Sequence, residues 1–115
     1  MHSYIKLPKD LLEKLHKRYG KTIRVGLSDY KILFAKRLVL NEEAVDGFCC
    51  DEQKVIALCY SKNRRYMEAT LLHELGHAFC AENGMRQLSG WSMNVEELFV
   101  ENLSTTLSKS FKFSA

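Results

Sequence analysis

Between residues 8 and 19 the apolar positions Leu11, Leu12 and Leu15 fall on one helical stripe. Lys9, Lys14, Lys17 and Arg18 occupy the other faces, and Gly20 supplies a stop. The pattern predicts a first helix. Alternation follows: Ile23, Val25 and Leu27 share one side of a strand predicted over residues 22–27. Further strands are predicted over 31–35 and 37–40. Residues 48–50 and 54–60 flank Asp51-Glu52-Gln53, a polar turn, and read as a hairpin. Its second arm, Val55-Ile56-Ala57-Leu58-Cys59, is apolar on both faces, as a strand inside a sheet is.

The period then changes. Ser61-Lys62-Asn63 interrupts the strand pattern, and a helix is predicted from Arg64 to Glu82, stopped by Asn83-Gly84. A polar loop runs to Ser92. A last helix from Asn94 carries Val95, Leu98, Phe99, Leu103 and Leu107. No repeat, low-complexity tract or linker divides residues 1–115, so the expectation is one domain of α+β type.

Composition narrows the class. With 115 residues, 46% apolar and 27% charged, the chain suits one folded domain and is too short for two comfortable cores. No apolar run approaches the roughly 18 residues needed to cross a bilayer. The first residues, Met1-His2-Ser3-Tyr4-Ile5-Lys6, lack the basic-then-apolar pattern of a secretory signal. The expectation is a cytoplasmic protein with no membrane partner. Of the four cysteines, Cys49 and Cys50 are adjacent and point to opposite faces of a strand, so they cannot clamp one metal as a Cys-x-x-Cys pair does. With Cys59 and Cys80 they read as reduced thiols acting as small hydrophobes. The net charge of +3 is uneven: ten Lys and Arg against three acids up to Arg37, then seven against eleven. The plain reading is a solvated basic face on the first helix; the functional one is a surface for nucleic acid or an acidic partner.

The chemistry concentrates in Thr70-Leu71-Leu72-His73-Glu74-Leu75-Gly76-His77-Ala78-Phe79, which contains His-Glu-x-x-His inside a predicted helix. Four residues apart, His73 and His77 share a face, so two imidazoles can reach one Zn²⁺. Glu74 is turned by about 100° around the axis, near such a metal but not stacked with its ligands. It is placed to act on water whose pKa zinc has lowered to about 7. Leu71, Leu72, Leu75, Ala78 and Phe79 surround the motif, and polar groups among so many apolar neighbours need a partner.

Three protein ligands and one open position are usual for catalytic zinc. The metzincin extension requires Gly and then His or Asp where this chain has Cys80 and Asn83, so that class is excluded. The remaining donors are Glu96, Glu97 and Glu101 on the last helix. Glu97 and Glu101 share a face, so one could bind metal while the other hydrogen-bonds a ligand histidine. Against this, Asn94 and Glu97 fit a capping box, and Glu96 lies nearer the centre of the stripe Val95, Phe99, Leu103 and Leu107.

The run from Thr70 to Ala78, Gly84, and then Glu97-Leu98-Phe99-Val100-Glu101-Asn102-Leu103-Ser104 resembles the short phage- and prophage-encoded metallopeptidase-like proteins related to the ImmA/IrrE family of zinc-dependent endopeptidases. Gly47 and the apolar strand to Leu58 extend the resemblance to about residues 45–107. It implies a zincin-like fold, an active-site helix packed under a small mixed sheet whose edge strand can pair with a substrate backbone. It implies His73 and His77 as zinc ligands, Glu74 as general base and Glu97 as third ligand. It also implies a peptide or protein substrate and a phage-infected or prophage-bearing host cell. ImmA/IrrE relatives carry Ala and Asn after the corresponding Glu; here Leu98 and Phe99 follow Glu97.

The expected activity is therefore metal-assisted hydrolysis of a peptide bond. Tyr66, Tyr60 and His16 are candidate donors to the oxyanion. A competing expectation is a zinc-stabilised binding module without turnover, in which Cys80 or His16 closes the fourth position.

Overall fold

Gly26, with φ of +59°, and the pair Asn41-Glu42, with φ of 52° and 69°, reverse the chain at the two ends of one long strand. The rest of the sheet is organised around that strand. The computed structural model describes residues 2–110. In chain order these form β1 (His2–Lys6), α1 (Lys9–Tyr19), β2 (Thr22–Val25), β3 (Ser28–Leu40), β4 (Glu43–Val45), β5 (Gly47–Cys50), β6 (Val55–Cys59), α2 (Arg64–Glu82), a 3₁₀ turn (Met85–Gln87) and α3 (Met93–Ser110).

β1 and β2 pair antiparallel with the two ends of one edge of β3. Along its other edge β3 pairs antiparallel with β4 and parallel with β6. β5 completes the order β1-β3-β6-β5 and closes the expected hairpin with β6. The class is thus α+β with a mixed sheet. No helix among the described residues is long and apolar enough to cross a membrane.

Several expected boundaries move, each for a local reason. The strands expected at 31–35 and 37–40 are one 13-residue strand. Its interruption at Lys36-Arg37 is a bulge: Ile5 pairs with Arg37 but Lys6 with Ala35, so Lys36 has no opposite residue. The extra residue lets Ala35 and Leu38, three apart, enter the same core cluster. The strand expected over 22–27 stops at Val25, because Gly26-Leu27 forms a two-residue turn with glycine first. Leu27 therefore projects into solvent, 95% exposed, instead of joining Ile23 and Val25. β1 and β4 have no counterpart among the expected strands.

One face of the sheet carries Tyr30, Ile32, Phe34, Ile56 and Leu58 against Leu15 of α1 and Met67, Leu71 and Ala78 of α2. The other face holds a smaller cluster of Ala35, Leu38, Phe48 and Ala57. Ile56, Ala57 and Leu58 are all buried, as the two-faced apolar pattern of β6 predicts. The C-terminal end of α2 is tied down by Glu82, which accepts hydrogen bonds from Ser28 Oγ (2.6 Å), Tyr30 Oη (2.8 Å) and Lys54 Nζ (2.5 Å).

Two glycines set how closely the site-bearing elements approach. A Cβ on Gly76 of α2 would stand 2.9 Å from Val100 Cγ1 of α3, and one on Gly47 would stand 2.9 Å from Thr70 Cγ2 of α2. Only residues without side chains allow these contacts. Val100 in its seat beside Gly76 also fixes the rotation of α3. The buried line is Glu96, Val100 and Ser104, not the expected stripe of Val95, Phe99, Leu103 and Leu107; Val95 and Leu107 are exposed. The helix starts one residue earlier than expected, and its first turn is capped by Ser92. Val95 N–H donates to Ser92 Oγ at 3.2 Å, so the Asn94–Glu97 capping box is replaced and Glu97 is free for other contacts.

Candidate metal centre

α2 begins where Asn63 caps it, its Oδ1 accepting from Tyr66 N–H at 3.1 Å. With the helix so phased, Gly76 faces α3 and His73 and His77 lie beside it, one turn apart. Their ring centroids are 5.0 Å apart. α3, seated through Val100, brings three carboxylates to these rings. The three glutamates between which the sequence left the choice open take three different places.

Glu97 spans the pair: Oε1 lies 2.8 Å from His77 Nε2 and Oε2 lies 3.3 Å from His73 Nε2. Glu96 Oε2 lies 2.6 Å from His77 Nδ1, and Glu101 Oε2 lies 3.3 Å from His73 Nδ1. Each histidine thus turns Nε2 toward Glu97 and Nδ1 toward a second carboxylate. This is the arrangement in which Nδ1–H donates outward and Nε2 is left as a ligand atom.

The donor set fits a zinc ion. One ring nitrogen of each histidine and one oxygen of Glu97 lie within 4.8 Å of one another. Zinc–ligand bonds of about 2.0–2.1 Å at tetrahedral angles place donors about 3.3 Å apart; Glu97 stands 3.3 Å from His73 Nε2 through Oε2 and 2.8 Å from His77 Nε2 through Oε1. Two imidazoles and a carboxylate are borderline ligands of the kind zinc takes. No other group of three His, Cys, Asp or Glu with this proximity occurs among the described residues.

Glu96 is fully buried, and its charge is compensated by a clamp. Arg86 Nε donates to Oε1 at 2.8 Å and Nη2 to Oε2 at 2.9 Å, while Trp91 Nε1 donates to Oε1 at 3.2 Å. The third arm of the guanidinium, Nη1, reaches Asp51 Oδ1 in the hairpin turn at 3.1 Å. The Arg86 hydrogen bonds, with those of His77 and Trp91, outweigh burial and hold the Glu96 carboxyl down at about 2. Arg86, Trp91 and Asp51 were not among the expected site residues. One signal was present: Arg86 is the only Lys or Arg between Arg65 and Lys109.

Glu74 has the opposite environment. It is buried, and no hydrogen bond or ion pair engages it among the described residues. Burial, with Glu97 adding repulsion against the opposing pull of His77, pushes its carboxyl up to about 7. It lines a groove of about 380 Å³ between α2, α3 and the start of β5, with His73, Glu101, Thr70 and Asp46.

The remaining candidates separate cleanly. Tyr66 lines this groove, its hydroxyl donating to Asp46 Oδ2. Tyr60 faces a different depression, beside α1. His16 sits on α1 with Nε2 hydrogen-bonded to Ile32 O at 3.2 Å. Cys80 is wholly buried and, like His16, falls outside the ligand group. Lys9, Lys14 and Lys17 are exposed on α1, on a different element from His73 and His77. Comparison with protein-family models, curated proteins and solved structures returned no match to this chain.

Proposed function

We propose that this chain is a zincin-like, zinc-dependent peptidase in which His73, His77 and Glu97 hold the metal and Glu74 is the general base. One observation carries the reading: three ligand-type atoms converge beside the buried Glu74 at the wall of an open groove. A zinc ion in that place supplies Lewis acidity, lowering the pKa of water to about 7 and polarising a carbonyl.

The protein's own groups do the rest. Glu96 and Glu101 orient the two imidazoles through Nδ1, which fixes the direction of each Nε2. Glu74, with a carboxyl near neutrality, takes a proton from water and returns it to the leaving amine. A cation on the neighbouring histidines favours its ionised form, the one that accepts the proton. Tyr66, alone of the three candidate donors, lines the groove and can turn from Asp46 toward the developing oxyanion. A peptide entering between α2 and α3 passes the open edge of β5, where backbone pairing is available.

A binding module without turnover is the competing reading; Cys80 and His16, its expected fourth ligands, lie outside the ligand group. The test is Glu74→Gln, assayed for bound zinc and for cleavage of a peptide library. Retained zinc with abolished hydrolysis supports the proposal; cleavage equal to that of the unaltered protein refutes it.

A further inference from the structure

Arg86 lies on no site-bearing helix, yet it makes three side-chain hydrogen bonds in the neighbourhood of His77. Gly84, with φ of +69°, ends α2 and starts the 3₁₀ turn that folds residues 85–87 back beneath α3. There one guanidinium meets three carboxylate oxygens: both of Glu96 and one of Asp51. Glu96 has no solvent exposure, so it cannot draw compensation from water. Trp91, stacked edge-on against Phe99 at 5.8 Å, adds a fourth fixed donor.

We infer that Arg86 is the positioning residue of the metal centre, acting on the zinc ligand His77 through Glu96. The inference rests on the zinc-site reading above. A bidentate guanidinium fixes the plane of the Glu96 carboxylate as well as its charge, which a single ammonium cannot do. With both oxygens gripped, Oε2 keeps one direction, toward His77 Nδ1 at 2.6 Å. The ring then has one orientation and one tautomer, Nδ1–H, and Nε2 is presented to the position shared with His73 and Glu97. Asp51 extends the line to the β5–β6 turn, so the hairpin that borders the groove and the metal ligand share one rigid connection.

The experiment uses the full chain and inorganic zinc. Zinc affinity is measured by competition with a chromophoric chelator for the unaltered protein, Arg86→Met, Arg86→Lys and Asp51→Asn. The His77 tautomer is read from imidazole nitrogen shifts in the metal-free protein. Arg86→Met is expected to lose ten- to a hundredfold in zinc affinity, the range for an outer partner of a ligand histidine, about 1.4–2.7 kcal/mol. It is also expected to show a mixture of tautomers. Arg86→Lys should recover part of the affinity but not the single tautomer. Asp51→Asn, which leaves the grip on Glu96 in place, should stay within about threefold. Unchanged affinity and tautomer in a folded Arg86 variant would overturn the assignment. So would a loss in Asp51→Asn as large as in Arg86→Met. If Arg86→Met does not fold, Arg86→Lys decides on the same two readouts. An unaltered protein that takes up no zinc at all would sink the metal-centre reading itself, a result distinct from equal affinities across the variants.

Discussion

Gly76→Ala is the smallest change that tests whether the α2–α3 distance sets the metal site. Inside a helix, alanine is favoured over glycine by about 0.8–1.0 kcal/mol, so propensity alone predicts a stabilised protein. The packing predicts the reverse. The new methyl would stand 2.9 Å from Val100 Cγ1 and 3.2 Å from Cγ2. Carbon pairs rest at about 3.5–4.0 Å, so the helices must part by roughly 0.6 Å or more. Overpacking of that size costs about 1–3 kcal/mol, which leaves a net loss of up to about 2 kcal/mol and a lower melting temperature by several degrees. The parting also carries Glu96, Glu97 and Glu101 away from the histidines, and zinc affinity should fall by at least about tenfold, or 1.4 kcal/mol. Thermal unfolding of the metal-free protein gives the first number and chelator competition the second. Gly76→Ala with Val100→Ala removes the clash with Cγ1 and Cγ2 and should return most of the zinc affinity. A Gly76→Ala protein that is more stable and binds zinc unchanged would refute the reasoning.

Other outcomes follow from single contacts. Glu97→Ala should lose most of its zinc in equilibrium dialysis, whereas Glu101→Ala, which removes only an orienting partner, should weaken binding about tenfold; the reverse order would exchange their roles. Tyr66→Phe should keep zinc and lower kcat by about 10²-fold if its hydroxyl reaches the oxyanion, and an unchanged kcat would make Tyr66 part of the groove wall only. Glu82 titrates at about 2, below its ordinary 4.5, chiefly through its hydrogen bond from Lys54. A depressed carboxyl contributes stability above pH 4.5 and loses it as the pH falls toward 2. The stability gap between the unaltered protein and Glu82→Gln, measured by urea unfolding, should therefore be widest near neutrality and close in acid; a gap that widens in acid would contradict this origin.

The motif was legible because its periodicity is local. His73 and His77 declare a shared helical face from spacing alone, with Glu74 about 100° away around the axis, and the stop at Asn83-Gly84 is written in the same segment. The two-faced apolar run of β6 was equally plain, since a strand buried on both sides reads as such in isolation. What the sequence obscured was nonlocal or rested on unfavoured backbone. The Asn41-Glu42 turn places a glutamate at φ of 69°, so β4 gave no familiar hairpin signal. The Lys36 bulge looked like a strand end because the residue that reveals it as a bulge, Lys6, lies thirty positions away. On α3 the apolar count pointed to the wrong stripe. Leu98 is 66% exposed while Glu96 is wholly buried, an inversion of what transfer energies alone would give. It holds because the burial of Glu96 is offset by a partner that periodicity cannot see, Arg86, and because Val100 fits a vacancy that only Gly76 leaves. The rotation of α3, and with it the distribution of three glutamates over four ring nitrogens, is therefore decided by one arginine and one glycine outside the helix itself.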